Sequence, residues 1–158
     1  MANRYFRVDE ANRLLSTVAA AMARLQAVDA EARRRHEEAQ ALTAIGLRTD
    51  GRPIMAADVR QAQEACDALL AQGRTILESI RDLGVEVRSI EYGLVDFPAH
   101  IDGEDAWLCW RLGEARVAFY HGLDEGFTRR RPVVFASPPV EGEGERGESP
   151  RSGAPGRP

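Results

Sequence analysis

The side chains best suited to holding a metal or attacking an electrophile are few: Cys66 and Cys109, His36, His100 and His121, and the carboxylates near them. His36 sits in a charged helical run and reads as a surface residue. His121 precedes Asp124 and Glu125, a combination that could make a one-sided metal site, although a single His in such a place more commonly serves packing. No HExxH, CxxC or other paired-ligand spacing occurs. Neither a GxSxG nucleophile elbow nor a GxxxxGK[ST] phosphate loop is present. Cys66 falls in a helical seam. Cys109 lies between Trp107 and Trp110, where Arg111 could favour a thiolate, but packing is its expected role. The spacing thus assigns no catalytic residue, no cofactor and no metal ligand.

These residues must be positioned by the elements around them. Leu14, Val18, Ala21, Leu25, Val28, Ala32, Arg35, Ala39 and Leu42 alternate in steps of four and three, the spacing of a coiled-coil seam, and predict a helix over about residues 8–44. Gly46 and the Thr49–Pro53 turn end it. Val59, Ala62, Cys66, Leu69, Gly73, Ile76, Ile80 and Leu83 predict a second helix over about residues 54–83, with Gly84 as its left-handed cap. A short connection between two such seams implies an antiparallel hairpin.

A small antiparallel sheet of three or four strands is expected over about residues 85–121, with Val85–Ile90 as an edge strand. Asp102-Gly103 suits a two-residue hairpin turn, and Gly113-Glu114 suits a type II′ turn. Closing both turns places Val95, Phe97, Leu108, Trp110, Val117 and Phe119 on one apolar face. The other face then carries Asp96, Pro98, His100, Trp107, Cys109, Arg111, Ala118 and Tyr120, with Asp96 diagonal to Arg111. His100 and His121 fall on opposite faces in this register. Residues 122–136 read as a loop anchored by Phe127, and residues 137–158, rich in Gly, Pro, Ser and Glu, as a disordered tail. The fold class is α+β, a single domain over residues 1–136.

Several segments carry a family resemblance: Tyr5-Phe6 with Glu10-Ala11-Asn12-Arg13-Leu14-Leu15, Gly93-Leu94-Val95-Asp96-Phe97-Pro98-Ala99, Leu108-Cys109-Trp110-Arg111-Leu112-Gly113-Glu114, and His121-Gly122-Leu123-Asp124-Glu125-Gly126-Phe127. On these motifs the chain resembles DUF2203, a prokaryotic family of unknown function, over roughly residues 5–133. The family pattern usually has Thr or Ser where this chain has Arg7, so the usual helix cap is missing. The resemblance implies no activity, cofactor or catalytic residue.

Composition narrows the classes further. A net charge of −4 argues against a generic nucleic-acid binder, and the Arg129–Arg131 run reads as solvated. All basic residues are arginine, as a GC-rich genome would give. Two distant cysteines in a chain with no apolar leader or membrane span point to free thiols and a cytoplasmic protein. The sequence thus leads to the expectation of a non-catalytic protein-interaction or self-association module, acting through the helical arm and the mixed sheet face. The alternative is a small-molecule or metal-binding protein, an enzyme among the options, with a pocket around Asp96, Trp107, Cys109, Arg111 and Tyr120. A homodimer is expected, because the mixed face lacks a cover, the Ala-rich hairpin is weakly held, and Ala11, Leu15 and Met22 form a second apolar line on the first helix.

Overall fold

A computed structural model describes residues 4–45, 50–53 and 55–134; the expected tail over 137–158 lies outside the described residues. Helices α1 (Val8–Ile45) and α2 (Ala56–Asp82) come first. A sheet of five antiparallel strands follows: β1 (Glu86–Ser89), β2 (Leu94–Ile101), β3 (Glu104–Arg111), β4 (Phe119–Gly122) and β5 (Arg131–Pro132), adjacent in chain order. A short 3-10 turn over Phe127–Arg129 lies between the last two. The α+β class holds, with one strand more than expected.

Helix α1 starts without a Ser or Thr cap. Instead the Arg7 backbone N–H donates to Glu10 Oε2 at 2.9 Å, the returning half of a capping box. Asp9 and Glu10 occupy the first turn, where negative charge suits the helix dipole. The helices run antiparallel: Cys66 Sγ lies 3.7 Å from the Ala32 carbonyl, and Gly73 nestles against Val28 and Leu25 nearer the sheet. Gly84 ends the hairpin at φ +85°, the left-handed cap predicted from sequence.

The core joins the sheet end of this hairpin to one face of the sheet. Ala11, Val18, Met22 and Leu25 from α1 and Ile76 and Ile80 from α2 pack on Val95, Phe97, Leu108, Trp110 and Val117. The line expected as a second apolar surface on α1 is thus the line that meets the sheet: Ala11 and Met22 are fully buried there. Phe6 joins them edge-on to Phe97, tied down by its N–H to the Pro98 carbonyl.

The β2–β3 hairpin forms as predicted, with Asp102 and Gly103 both at positive φ and Val95, Phe97 and Ala99 opposite Trp110, Leu108 and Ala106. The β3–β4 connection differs. Gly113-Glu114 does not close a two-residue turn, and residues 112–118 form a wider link. Pairing resumes as Cys109↔Phe119, Leu108↔Tyr120 and Trp107↔His121, one residue away from the predicted register. The cause is visible at Val117, whose N–H donates to Asn12 Oδ1 at 2.9 Å and whose carbonyl accepts from Asn12 Nδ2 at 3.2 Å. The α1 side chain takes the backbone groups that a strand partner would otherwise use.

This slip moves residues between faces. Tyr120 turns toward the core side, while Phe119 and His121 join Asp96, Trp107 and Cys109 on the outer face. His100 and His121 therefore share a face, contrary to the predicted register. Trp110 is 2% exposed and donates Nε1–H to the Glu114 carbonyl at 2.9 Å. Trp110→Ala should cost ~3–5 kcal/mol in urea unfolding, as loss of a large buried aromatic does. Trp107, half-buried under an arginine, should cost clearly less when changed to Ala; equal losses would contradict these two environments.

Candidate functional site

The outer face is covered by the chain's own arginines and by the segment after β4. Arg88 stacks on Trp107 with its guanidinium carbon 4.4 Å from the ring centre. Arg130 lies between Phe119 and Phe127, at 4.4 and 4.0 Å, and pairs with Glu114 at 2.7 Å. Arg131, opposite Tyr120 in the register, lies against that ring on the other side of the sheet and pairs with Glu125 at 2.7 Å. Such contacts hold a planar cation on an aromatic face while its N–H groups reach a carboxylate. Arg130, expected in a solvated run, is thus built into the sheet's cover, while Arg131 stays exposed as expected.

Of the residues singled out from sequence, Asp96 and Cys109 meet, being directly opposed in β2 and β3. Trp107 stands beside them on the same face. Arg111 does not pair with Asp96: it is exposed, with its guanidinium 5.6 Å from the Phe127 ring. Tyr120 is turned away. Sequence reasoning weighed His121 only with Asp124 and Glu125, whereas the register places it next to Asp96, and it missed Arg88, which lies at a bulge. In β1, Val87 faces Val95 and Ser89 faces Leu94, so Arg88 is the extra residue. A bulge of this kind re-aims a side chain, here onto Asp96.

Asp96 is 2% exposed and His121 4% exposed. Asp96 Oδ2 accepts from Arg88 Nε at 2.7 Å and stands 3.2 Å from His121 Nε2. Asp96 Oδ1 is buried with no hydrogen-bond partner. Cys109, 1% exposed, completes the group: one ligand atom from each of Asp96, Cys109 and His121 lies within 4.8 Å of the other two.

The hydrogen-bond roles are constrained. His121 Nδ1 lies 2.9 Å from the Gly122 carbonyl; a carbonyl only accepts, so Nδ1 carries the hydrogen. In a neutral ring, Nε2 is then left with a lone pair facing a carboxylate oxygen. Gly122 is itself fixed, donating its N–H to Glu125 Oε2 at 2.8 Å. That backbone donor, with Arg131 beside it, holds the Glu125 carboxyl below the usual carboxylate range. Burial, followed by the negative charge of Asp96, pushes the Cys109 thiol up to about 12. Arg111 does not activate it, so in the folded protein Cys109 is a neutral thiol.

The three groups form the floor of a cavity of about 240 Å3, walled by Arg88, Leu94, Leu123 and Phe127. Chemically this is a borderline-soft ligand set, one thiol, one imidazole and one carboxylate, opening onto a small space. His36 and His100 lie apart from it. His36 bonds Gln40 on the exposed helix, and His100 stacks on Tyr5 at 3.8 Å and pairs with Asp105 at 2.8 Å. Cys66 is half-buried and free.

A family model described as "Uncharacterized conserved protein (DUF2203)" matches residues 4–133, which include all of this site. No curated protein and no solved structure matches the chain. No helix among the described residues is long and apolar enough to cross a membrane.

The raised thiol gives a pH dependence. The folded protein keeps the Cys109 proton up to about 12, whereas an ordinary thiol releases it near 9.0. The folded state then holds a proton that the unfolded chain loses, so this contribution is intact below the lower value and fades as pH rises through the higher one. Thermal unfolding in the presence of a chelator should show stability falling across that window, with a shallower fall in Cys109→Ala. Parallel curves for the two proteins would contradict the assignment.

Proposed function

The chain belongs to the DUF2203 family, which is described only as uncharacterized, and from the site itself we propose that the protein binds one divalent transition-metal ion of the zinc class through Asp96, Cys109 and His121. The observation that supports this most directly is the contact between His121 Nε2 and Asp96 Oδ2 at 3.2 Å, with the other ring nitrogen already committed to the Gly122 carbonyl. With the ring neutral, two acceptors face each other there, and a cation between them satisfies both; a proton on Nε2 would do the same, and the metal titration below distinguishes the two. Ligands ~2.0–2.1 Å from a tetrahedral zinc stand about 3.3 Å apart, close to the spacing present.

The surroundings support the same reading. Metal-bound histidines commonly donate their second N–H to a backbone carbonyl, which fixes the tautomer, and His121 does so to Gly122. The unpartnered Asp96 Oδ1 offers another lone pair. Three protein ligands beside a cavity leave a coordination position for an exogenous group, the arrangement of zinc sites that bind or act on a ligand rather than merely brace a fold.

Chelator-treated protein titrated with Co2+ should bind one ion per chain and develop a thiolate-to-cobalt charge-transfer band. Zn2+ should displace the cobalt, and Zn2+ added to the chelator-treated protein should release about one proton per ion near neutral pH, because the thiol enters as a thiolate. Asp96→Asn, Cys109→Ser and His121→Ala should each weaken binding at least tenfold, with far-UV circular dichroism confirming that they fold. Unchanged affinity in Cys109→Ser would sink the proposal.

A second reading concerns the helical arm. In α2 only Ile76 and Ile80 are buried, and Leu70 remains 49% exposed beside an apolar groove whose walls include Leu25, Val28, Leu69 and Leu77. We infer that a second copy of the chain pairs along this groove, giving a homodimer through the arm. The outer sheet face contributes less to this than the sequence suggests, since Phe127 and the arginines already cover it. Light scattering should give twice the 17.4 kDa chain mass, and Leu70→Asp should halve it. A wild-type mass that stays monomeric on concentration would count against the dimer.

A further inference from the structure

The cavity above the Asp96–Cys109–His121 floor is too well furnished to serve only as a water-filled vestibule. Arg88 is one wall. It is positioned twice, by its Nε on Asp96 Oδ2 and by its stacking on Trp107. Neither of its two terminal nitrogens hydrogen-bonds a described residue. A fixed guanidinium with its outer N–H groups free presents a planar fork suited to a carboxylate or phosphate. Glu125, also at the cavity, does not compete for that fork, because Gly122 and Arg131 already satisfy it.

Charge then narrows the class. With Glu125 neutralised by Arg131, a divalent ion held by an Asp carboxylate and a Cys thiolate, with Arg88 alongside, gives the site one net positive charge. A neutral guest would leave that charge to solvent alone, since Arg88 is open at the cavity mouth, whereas a monoanion would meet it directly. A dianion would overshoot it. Size and wall chemistry narrow the class again. A cavity of about 240 Å3 corresponds to about eight waters at ~30 Å3 each, and Leu94, Leu123 and Phe127 give it an apolar side. The matching guest has a single carboxylate at one end and a short hydrocarbon body at the other.

We propose that the cavity binds a small monocarboxylate, its carboxylate set between the metal position and the Arg88 fork and its apolar chain against Leu94, Leu123 and Phe127. The proposal rests on the metal reading above and adds to it the class of ligand. The cobalt-loaded full chain separates the two, because its charge-transfer band reports the metal and its ligand-field bands report the exogenous ligand. Butyrate should shift the ligand-field bands, butyramide should leave them unchanged, and butyrate should bind at least tenfold tighter than formate, since only butyrate reaches the apolar wall. Arg88→Gln should weaken butyrate binding at least tenfold, and Arg88→Lys, which keeps the charge but loses the fork, should recover only part of it. A cobalt-loaded wild-type protein that ignores butyrate, answers butyramide equally, or prefers inorganic phosphate overturns the monocarboxylate assignment while the metal reading stands. Absence of the charge-transfer band overturns both. The wild-type ligand series needs no variant and decides the matter even where Arg88→Gln fails to fold.

Discussion

A carboxylate in the middle of a sheet, almost sealed from water, is the constraint from which the outer face of this protein follows. An isolated charge there would be strongly unfavourable, so Asp96 must be met by donors or by a cation. Arg88 meets one oxygen, and only because a bulge turns it onto the outer face. His121 approaches the same oxygen and Cys109 stands opposite, while the second carboxylate oxygen remains without a hydrogen bond. Arg88 answers the net charge but leaves one lone pair unanswered. A neutral buried thiol, an imidazole and a free carboxylate oxygen in one place are the reason we propose a ligand set there.

The rest of the fold serves to hold that group still. Strand β3 carries the core on one side, through Leu108 and Trp110, and the site on the other, through Cys109 and Trp107. Neither face can shift without the other. The α1 start reaches across to clip Val117 with Asn12, which sets where β4 begins and so where His121 points. On the outer side the cover is made of stacked guanidinium and aromatic planes, with Arg130 between two rings and bound to Glu114. Arginine suits this role because it stays charged and planar while lying on a ring. The same cover encloses the cavity through Phe127. Exposed pairs along α1, such as Arg33 with Asp29, add little by comparison.

Much of this architecture was legible from periodicity and turn chemistry. Both helices, the Gly84 cap and the Asp102-Gly103 hairpin follow local rules, and the β2–β3 register follows from them. The β3–β4 register did not, for a specific reason. Phe119 and Tyr120 are adjacent large aromatics, so either register sets one of them on the apolar side, and alternation cannot choose. What chooses is Asn12, more than a hundred residues away, bonding the Val117 backbone. The error hid the site, since it put His121 on the wrong face. Arg88 was hidden in a similar way, because strict alternation has no place for a bulged residue. The pairing of Asp96 with Arg111 looked sound on charge and diagonal spacing, but Arg88 reached Asp96 from the neighbouring strand. The combination Asp96, Cys109 and His121 could have been found by testing the alternative register, which brings all three together.

The proposed metal site is tested most directly by its coordination shell. X-ray absorption at the zinc edge of the loaded protein should show one sulfur scatterer at ~2.3 Å and the remaining nitrogen and oxygen ligands at ~2.0–2.1 Å, with the sulfur shell lost in Cys109→Ser. A first shell made only of oxygen and nitrogen in the wild-type protein would contradict it.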